Sequence, residues 1–199
     1  MPKTNKLSPN LFHLRVFIEV YEHQSISTTA RHLNRSQPAI SQAIKNLEQV
    51  FNTTLFHRTT KQISPSKAAP KLYQRIKKAL LSLDNFFEQQ ARTHSEIPRN
   101  IANKITNTQL QALQAVVDAG SFSAGAAAVK KASPTLHRAA KELEQLVGIS
   151  LFERTSYGIR PTRVANQLAQ LAGVMSREME LAFAEIAEQM LLISDDQGG

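Results

Sequence analysis

The chain has no cysteine and no tryptophan among its 199 residues. Lack of cysteine excludes a disulfide framework and any thiolate metal site, and suits a reducing cytoplasm. Lack of tryptophan leaves Leu, Ile, Val, Ala and Phe to build the core. Long apolar runs are missing as well, and none approaches the roughly 20 residues that a bilayer span needs. Met1 to Ser8 is polar and leads directly into an amphipathic pattern, so neither a signal peptide nor a membrane partner is expected. Glycine is scarce, and the first one in the chain is Gly120. Acidic residues are outnumbered, 16 Asp/Glu against 24 Lys/Arg, for a net charge of +8 and a pI near 9.9. Such a surplus favours a polyanionic partner. It lies in one half of the chain: residues 1–99 carry 15 Lys/Arg against 6 Asp/Glu, a net of +9, and residues 100–199 carry 9 against 10, a net of −1.

What is present centres on Ser36 to Glu48, Ser-Gln-Pro-Ala-Ile-Ser-Gln-Ala-Ile-Lys-Asn-Leu-Glu. Proline at its third position fits a first helical turn, where a missing N–H costs nothing. Ile40, Ala43, Ile44 and Leu47 then form one apolar stripe at helical spacing. Gln37, Ser41, Gln42 and Lys45 fall on the other face, which bears no carboxylate before Glu48. A helix that enters a major groove needs amide and hydroxyl groups for base edges and no negative charge against phosphate. This stretch reads as a recognition helix.

Around it, Ser8-Pro9 opens a first helix with Leu11, Leu14, Phe17, Ile18 and Tyr21 as its apolar positions. Ser27 is placed to cap a short second helix, Thr28 to Asn34, with Ala30 and Leu33 facing inward. The recognition helix ends near Phe51-Asn52, and β-prone pieces follow at Leu55 to Arg58 and Gln62 to Ser64. A long helix begins near Ser66, with Leu72, Ile76, Leu80, Leu83 and Phe87 on one seam. Thr93 to Asn100 is polar, contains proline and lacks periodicity, as a linker does.

Beyond it the same plan restarts, displaced by 96 residues without a gap. Ser25-Ile26-Ser27 matches Ser121-Phe122-Ser123, and Pro38 matches Pro134. Lys-Asn-Leu-Glu-Gln from Lys45 matches Lys-Glu-Leu-Glu-Gln from Lys141, and Leu55-Phe56-His57-Arg58-Thr59 matches Leu151-Phe152-Glu153-Arg154-Thr155. Chance does not hold one register over that distance, so the chain contains an internal duplication. Gly120, Gly148 and Gly158 stand where the first copy has Gln24, Asn52 and Gln62. Strained turns are therefore expected in the first copy. The second long helix starts at Thr162, with Leu168, Ala172, Met175, Met179, Ala182, Ile186 and Met190 on its seam.

The expected fold is mainly α: two winged helix-turn-helix domains, each of three helices plus a two-stranded wing, each followed by a long linker helix. The expected segments are 1–65 (first winged domain), 66–92 (first linker helix), 93–105 (interdomain linker), 106–161 (second winged domain), 162–193 (second linker helix) and 194–199 (disordered tail).

The pieces from Leu11 to Ala69 resemble the DNA-binding domain of LysR-type transcriptional regulators. They comprise Phe17, Ser25, Ala30, Ser36-Gln37-Pro38-Ala39-Ile40-Ser41, Leu47-Glu48, Leu55 to Arg58 and Pro65-Ser66. The set recurs, less completely, from Leu110 to Ala165, so the resemblance implies a tandem duplication of that domain. It implies sequence-specific binding of double-stranded DNA and transcription regulation, in a cytoplasmic, nucleoid-associated protein. Such regulators have one domain of this kind per chain and a large effector domain. This chain is therefore expected to be the DNA-binding part of a longer protein, whose small-molecule effector would act through a domain absent here. By position, Gln37, Pro38, Ser41 and Gln42 would meet base edges or sugar-phosphate, with Lys45 beside them and Arg58 and Lys61 on the wing. Many relatives have arginine where Gln42 stands, so a guanine contact is not expected there. The second copy offers Ser133, Thr135, His137, Arg138 and Lys141 on its recognition helix and Arg154, Arg160 and Arg163 around its wing. Arg138 is the best guanine-reading candidate, and the groove-facing surface of both copies is expected to be acid-free.

Other features read more plainly. The six histidines are scattered without a helix-face pair at ligand spacing and suit surface or cap roles. No metal, cofactor or catalytic residue is expected, and no Ser/His/Asp set points to an enzyme. Lys71, Arg75, Lys77 and Lys78 form a basic face that is either solvated or set against phosphate. The competing class is an architectural or protein-interaction winged helix that binds without choosing sequence. Residues 68–99 carry 6 Lys/Arg against 3 Asp/Glu, and residues 164–199 carry 1 against 6. Opposite charge thus favours pairing of the two long helices with each other, as an internal pseudo-dimer or across a homodimer.

Overall fold

The computed structural model describes residues 10–59, 62–98 and 101–196, with side chains described through Gln189. The elements of the first copy are α1 (Leu11–His23), α2 (Ile26–His32), α3 (Gln37–Phe51), β1 (Phe56–Arg58), β2 (Ile63–Pro65) and α4 (Ala69–Thr93). After a short 3-10 turn at Ile101–Asn103 come α5 (Asn107–Ala119), α6 (Phe122–Ala128), α7 (Ser133–Val147), β3 (Phe152–Thr155), β4 (Gly158–Pro161) and α8 (Arg163–Asp196). Each copy is a winged helix-turn-helix, three helices and a two-stranded antiparallel wing, followed by a long helix. The chain forms two compact units, residues 1–78 with 177–199, and residues 79–176. Among the described residues no helix is long and apolar enough to cross a membrane.

In the first unit, Asn10 caps α1, its side chain accepting from Phe12 N at 2.8 Å. The expected opening at Ser8-Pro9 lies outside the described residues. The buried stripe of α1 is Leu11, Leu14, Val16, Phe17 and Val20. Ile18 and Tyr21, expected inside, are half-buried at its edge, and Tyr21 stacks on Tyr73 at 4.1 Å between centroids. The second helix also differs from expectation. Gln24 is left-handed (φ 47°) and Ser25 extended, so Ser25 takes the cap with a 3.2 Å bond from Thr28 N. Helix α2 therefore starts at Ile26 and ends at His32, which leaves Leu33 half-buried beyond its end.

Helix α3 forms as the sequence dictates. The Ser36 hydroxyl accepts from Ala39 N, Pro38 lies in the first turn, and Asn52 closes the helix in the left-handed region (φ 48°). Ile40, Ala43, Ile44 and Leu47 are all buried, together with Phe51. Burying each large aliphatic side chain here is worth roughly 1.5–3 kcal/mol. The wing pairs His57 with Ser64 and Arg58 with Ile63. Helix α4 begins at Ala69 and not near Ser66, because the Ser66 hydroxyl is tied back to the Thr54 carbonyl at 2.6 Å. Its predicted seam, Leu72, Ile76, Leu80, Leu83 and Phe87, is buried throughout.

The first unit also holds the C-terminal part of α8. Arg75 donates to Glu178 at 2.8 Å and through two nitrogens to Glu185 at 2.5 and 3.2 Å, and Lys78 lies 3.7 Å from Glu178. Phe51 stacks on Phe183 at 4.3 Å, and the Gln189 amide donates to the Lys67 carbonyl. Lys77 donates to Glu22 and to the Tyr73 hydroxyl. Arg75 and Lys77 are thus engaged by acids, which is neither of the roles expected of that basic face.

The second unit repeats several caps and ties of the first, 96 residues on. Ser121 caps α6 as Ser25 caps α2, and Thr162 bonds the Ser150 carbonyl as Ser66 bonds Thr54. Thr106 and Gln109 form a reciprocal capping box on α5. The stretch read as a linker is anchored here by Ile97, Ile101, Ala102 and Ile105, all buried. The apolar cluster of Ala112, Ala115, Val116, Ala126, Leu136 and Ala139 is closed by Phe122, Val129, Phe152 and Ile159. On α8, Leu168, Ala172 and Met175 are buried in this unit, and Met179, Ala182 and Ile186 in the first. The side chain of Met190 is outside the described set. Helix α8 continues to Asp196, past the Ser194 where a tail was expected, and residues 197–199 lie outside the described residues.

Candidate nucleic-acid interface

Two short helices pack α3 and α7 by their apolar stripes, so the polar residues of each third helix are left outward. On α3, Gln37 and Pro38 are the first two helical residues, and both are exposed. Gln42 and Lys45 are exposed on the next turns, with Ser41 half-buried between them. The Gln42 amide nitrogen donates to the Asn46 side-chain oxygen at 2.8 Å, which extends the polar row by one more neutral group. Arg58 ends β1 and is exposed. Lys61 lies outside the described residues.

The single acid of α3, Glu48, is taken out of that surface. Its Oε1 accepts the backbone N–H groups of Leu55 and Phe56 at 2.8 and 3.2 Å and so fixes the base of the wing against the helix. Glu144 does the same for Leu151 and Phe152 at 2.7 and 3.1 Å. Sequence reasoning matched these two glutamates without assigning them a role. The signal was available, since an acid retained at a 96-residue offset directly before a loop is suited to capturing that loop's free N–H groups.

On α7, Thr135, His137, Arg138 and Lys141 are exposed, and Ser133 is half-buried at the first helical position. One expectation needs correction. The surface is not acid-free, because exposed Glu142 follows Arg138 by one turn where α3 has Asn46. The exposed His137 ring also stacks on Phe122, with centroids 3.8 Å apart. Arg154 and Arg163 are exposed, but Arg160 pairs across the wing with Glu153 at 2.7 Å. The first wing has His57 and Ser64 at those positions and carries no such acid. At the tip of the second wing Tyr157 is fully exposed, a residue that sequence reasoning passed over.

A family model described as bacterial regulatory helix-turn-helix protein, lysR family, matches residues 11–69 and again residues 107–166. The chain belongs to the LysR family. Its two LysR-type domains are the two winged helices described above. One curated relative is the probable HTH-type transcriptional regulator LrrA of Synechococcus elongatus, 45% identical over 65 residues, covering 33% of this chain and 22% of LrrA. Another is the HTH-type transcriptional regulator CysL of Bacillus subtilis, 41% identical over 64 residues, covering 32% and 21%. Among solved structures, the BenM_DBD/benA site 1 DNA complex matches at 31% identity and a TM-score of 0.39, covering 42% of this chain and 93% of that one. The matched region thus spans about a fifth of the length of the two curated relatives.

Proposed function

We propose that this LysR-family chain binds double-stranded DNA sequence-specifically through α3 and α7 and belongs to a cytoplasmic, nucleoid-associated transcription regulator with no enzymatic activity. The observation that carries the reading is the doubled family match, each half ending in a third helix whose outward face is polar while its apolar stripe is buried. Gln37, Pro38, Ser41, Gln42 and Lys45, with Arg58 and Lys61, serve the first recognition surface. Gln can bond adenine through two atoms, and a wing cation neutralises phosphate. Ser133, Thr135, His137, Arg138 and Lys141, with Arg154, Arg160 and Arg163, serve the second, and Tyr157 joins them at the wing tip. In this reading residues 1–65 and 106–161 are the DNA-binding domains, and 66–92 and 162–193 the linker helices. The Arg75 ion pairs with Glu178 and Glu185 support pairing of the linker helices with each other, as an internal pseudo-dimer. A small-molecule effector acts through a further domain.

The first copy carries the larger share of phosphate contacts, since its α3 has no exposed acid and its wing has His57 where the second has Glu153. Footprinting and gel-shift competition between promoter fragments and bulk DNA at about 150 mM salt test the reading, because specific complexes outlast non-specific ones there. Gln37→Ala with Ser41→Ala, and separately Arg138→Ala, should each alter the protected footprint. Equal competition by bulk DNA would point to an architectural role, and an unchanged footprint for Arg138→Ala would leave α7 without a reading role.

A further inference from the structure

The fold gathers two of the supposedly scattered histidines. Glu19 and His23 lie one turn apart near the end of α1, and His32 is the last residue of α2. Glu19 Oε2 is 2.5 Å from His32 Nδ1 and 3.3 Å from His23 Nε2, and one ligand atom from each residue lies within 4.8 Å of the other two. We propose that Glu19, His23 and His32 form a binding site for a divalent transition-metal ion that clamps α1 to α2.

Zinc bonds imidazole nitrogen and carboxylate oxygen at about 2.0–2.2 Å, so two ligand atoms on one tetrahedral ion sit roughly 3.4 Å apart. The Glu19–His23 separation already meets that spacing. The Glu19–His32 contact has to open by about 1 Å, and the His32 side chain is 62% exposed and free to make that move. Two imidazoles and one carboxylate suit Zn²⁺ and its neighbours in the first transition row, and not Mg²⁺ or Ca²⁺, which take oxygen ligands. Solvent on the open side completes the coordination.

The duplication supplies a control within the molecule. At the positions 96 residues on, the second copy has Ala115, Ala119 and Ala128. The same helical pair therefore folds there with three methyl groups, so the helix-turn-helix does not require this trio for its packing. The trio is thus a feature of the first copy and not of the shared frame.

The test uses the untagged full chain, with Zn²⁺ affinity measured by competition against a chromogenic chelator and thermal unfolding followed with Zn²⁺ or with EDTA. Even outer-shell partners are worth about 10–100-fold in metal affinity, so losing a ligand should cost at least tenfold. His23→Ala, His32→Ala and Glu19→Gln should each weaken binding by about that factor or more, and should abolish the Zn²⁺-dependent rise in Tm. His57→Ala, on the wing and outside the trio, should bind as the wild type does. All three ligand side chains lie at or near the surface, and unchanged far-UV circular dichroism checks that each variant folds. Wild-type protein that takes up no Zn²⁺, or variants of the trio that bind it equally well, would overturn the site and leave an ordinary carboxylate–imidazole pair.

Discussion

Replacing Glu48 by alanine isolates what holds the wing. The carboxylate accepts two backbone N–H groups, of Leu55 and Phe56, in a partly buried position. Leu55 and Phe56 are themselves buried, so water reaches the freed donors poorly. A hydrogen bond to a charged acceptor contributes about 1.5–3 kcal/mol, and a buried donor left alone costs about 1–3 kcal/mol. One oxygen shared by two donors lies below the sum of two full bonds, which places Glu48→Ala at roughly 2–4 kcal/mol of destabilisation. Glu48→Gln keeps an acceptor oxygen and should lose about 1 kcal/mol. Glu144→Ala removes an equivalent pair of bonds in the second unit, at 2.7 and 3.1 Å, and should cost the same within about 1 kcal/mol. Urea unfolding gives the global effect. Hydrogen exchange gives the local one, with the amides of Leu55 and Phe56 deprotected in the first variant and those of Leu151 and Phe152 in the second. A loss under about 0.5 kcal/mol in Glu48→Ala, with those amides still protected, would refute the claim that this carboxylate satisfies the wing.

Three further outcomes follow from the duplicated frame. Gln24 holds φ 47° where the second copy has Gly120 at φ 73°, and an added Cβ at Gly120 meets nothing within 4 Å. Gln24→Gly should therefore stabilise the protein by about 1 kcal/mol, and Gly120→Gln should destabilise it by a similar amount, both read from urea midpoints. Ala132 occupies the N-cap of α7 without a side-chain bond where Ser36 caps α3, so Ala132→Ser should add about 1 kcal/mol and Ser36→Ala remove about as much. Acid should weaken the first unit. The bonds from Lys77 and Tyr73 hold Glu22 below its ordinary 4.5, and the Arg75 bonds do the same for Glu178 and Glu185. Their contribution is complete above pH 4.5 and is lost as pH falls through the lowered folded values. Burial likewise holds His13 below 6.5, which costs stability as pH drops under that value. Stability measured against pH should fall on the acid side, with a shallower acid limb in Glu178→Gln.

What was legible in the sequence was whatever repeats or has a helical period. The stripe of α3, the seams of both long helices and the two wings follow from spacing alone, because burial of one face leaves no second way to place them. Cap choice was less legible. Ser25 and Ser27 are both good capping residues, and the left-handed backbone at Gln24 decides between them, a fact no residue type announces. The anchored linker was hidden because four buried residues among polar neighbours give no period. Contacts between elements far apart in sequence, such as Arg75 with Glu185 or Glu19 with His32, were foreseeable only as a preference of opposite charges. Placement of His137 against Phe122 escaped notice for the same reason.

The two copies diverge according to a rule that bears on their work. Several residues that satisfy backbone groups are kept in kind, Glu48 and Glu144, Ser25 and Ser121, Ser66 and Thr162, although Ser36 gives way to Ala132. Helix contacts vary more, as at Thr29, whose buried hydroxyl has no hydrogen-bond partner among the described residues, opposite Gly125 in the second copy. An added Cβ at Gly125 would stand 2.7 Å from the Ala115 carbonyl oxygen, so α5 and α6 lie closer than a side chain at that position permits. The outward surfaces vary as well. Asn46 becomes Glu142, and the His57–Ser64 pair becomes Glu153–Arg160, so the second copy places acids beside the cations that would meet phosphate. Each such acid opposes a polyanion through the same Coulomb interaction by which each free cation attracts it. If the proposed DNA binding holds, such a partly neutralised surface would favour orientation and base reading over bulk attraction, and the Arg138→Ala footprint is the measurement that tests it.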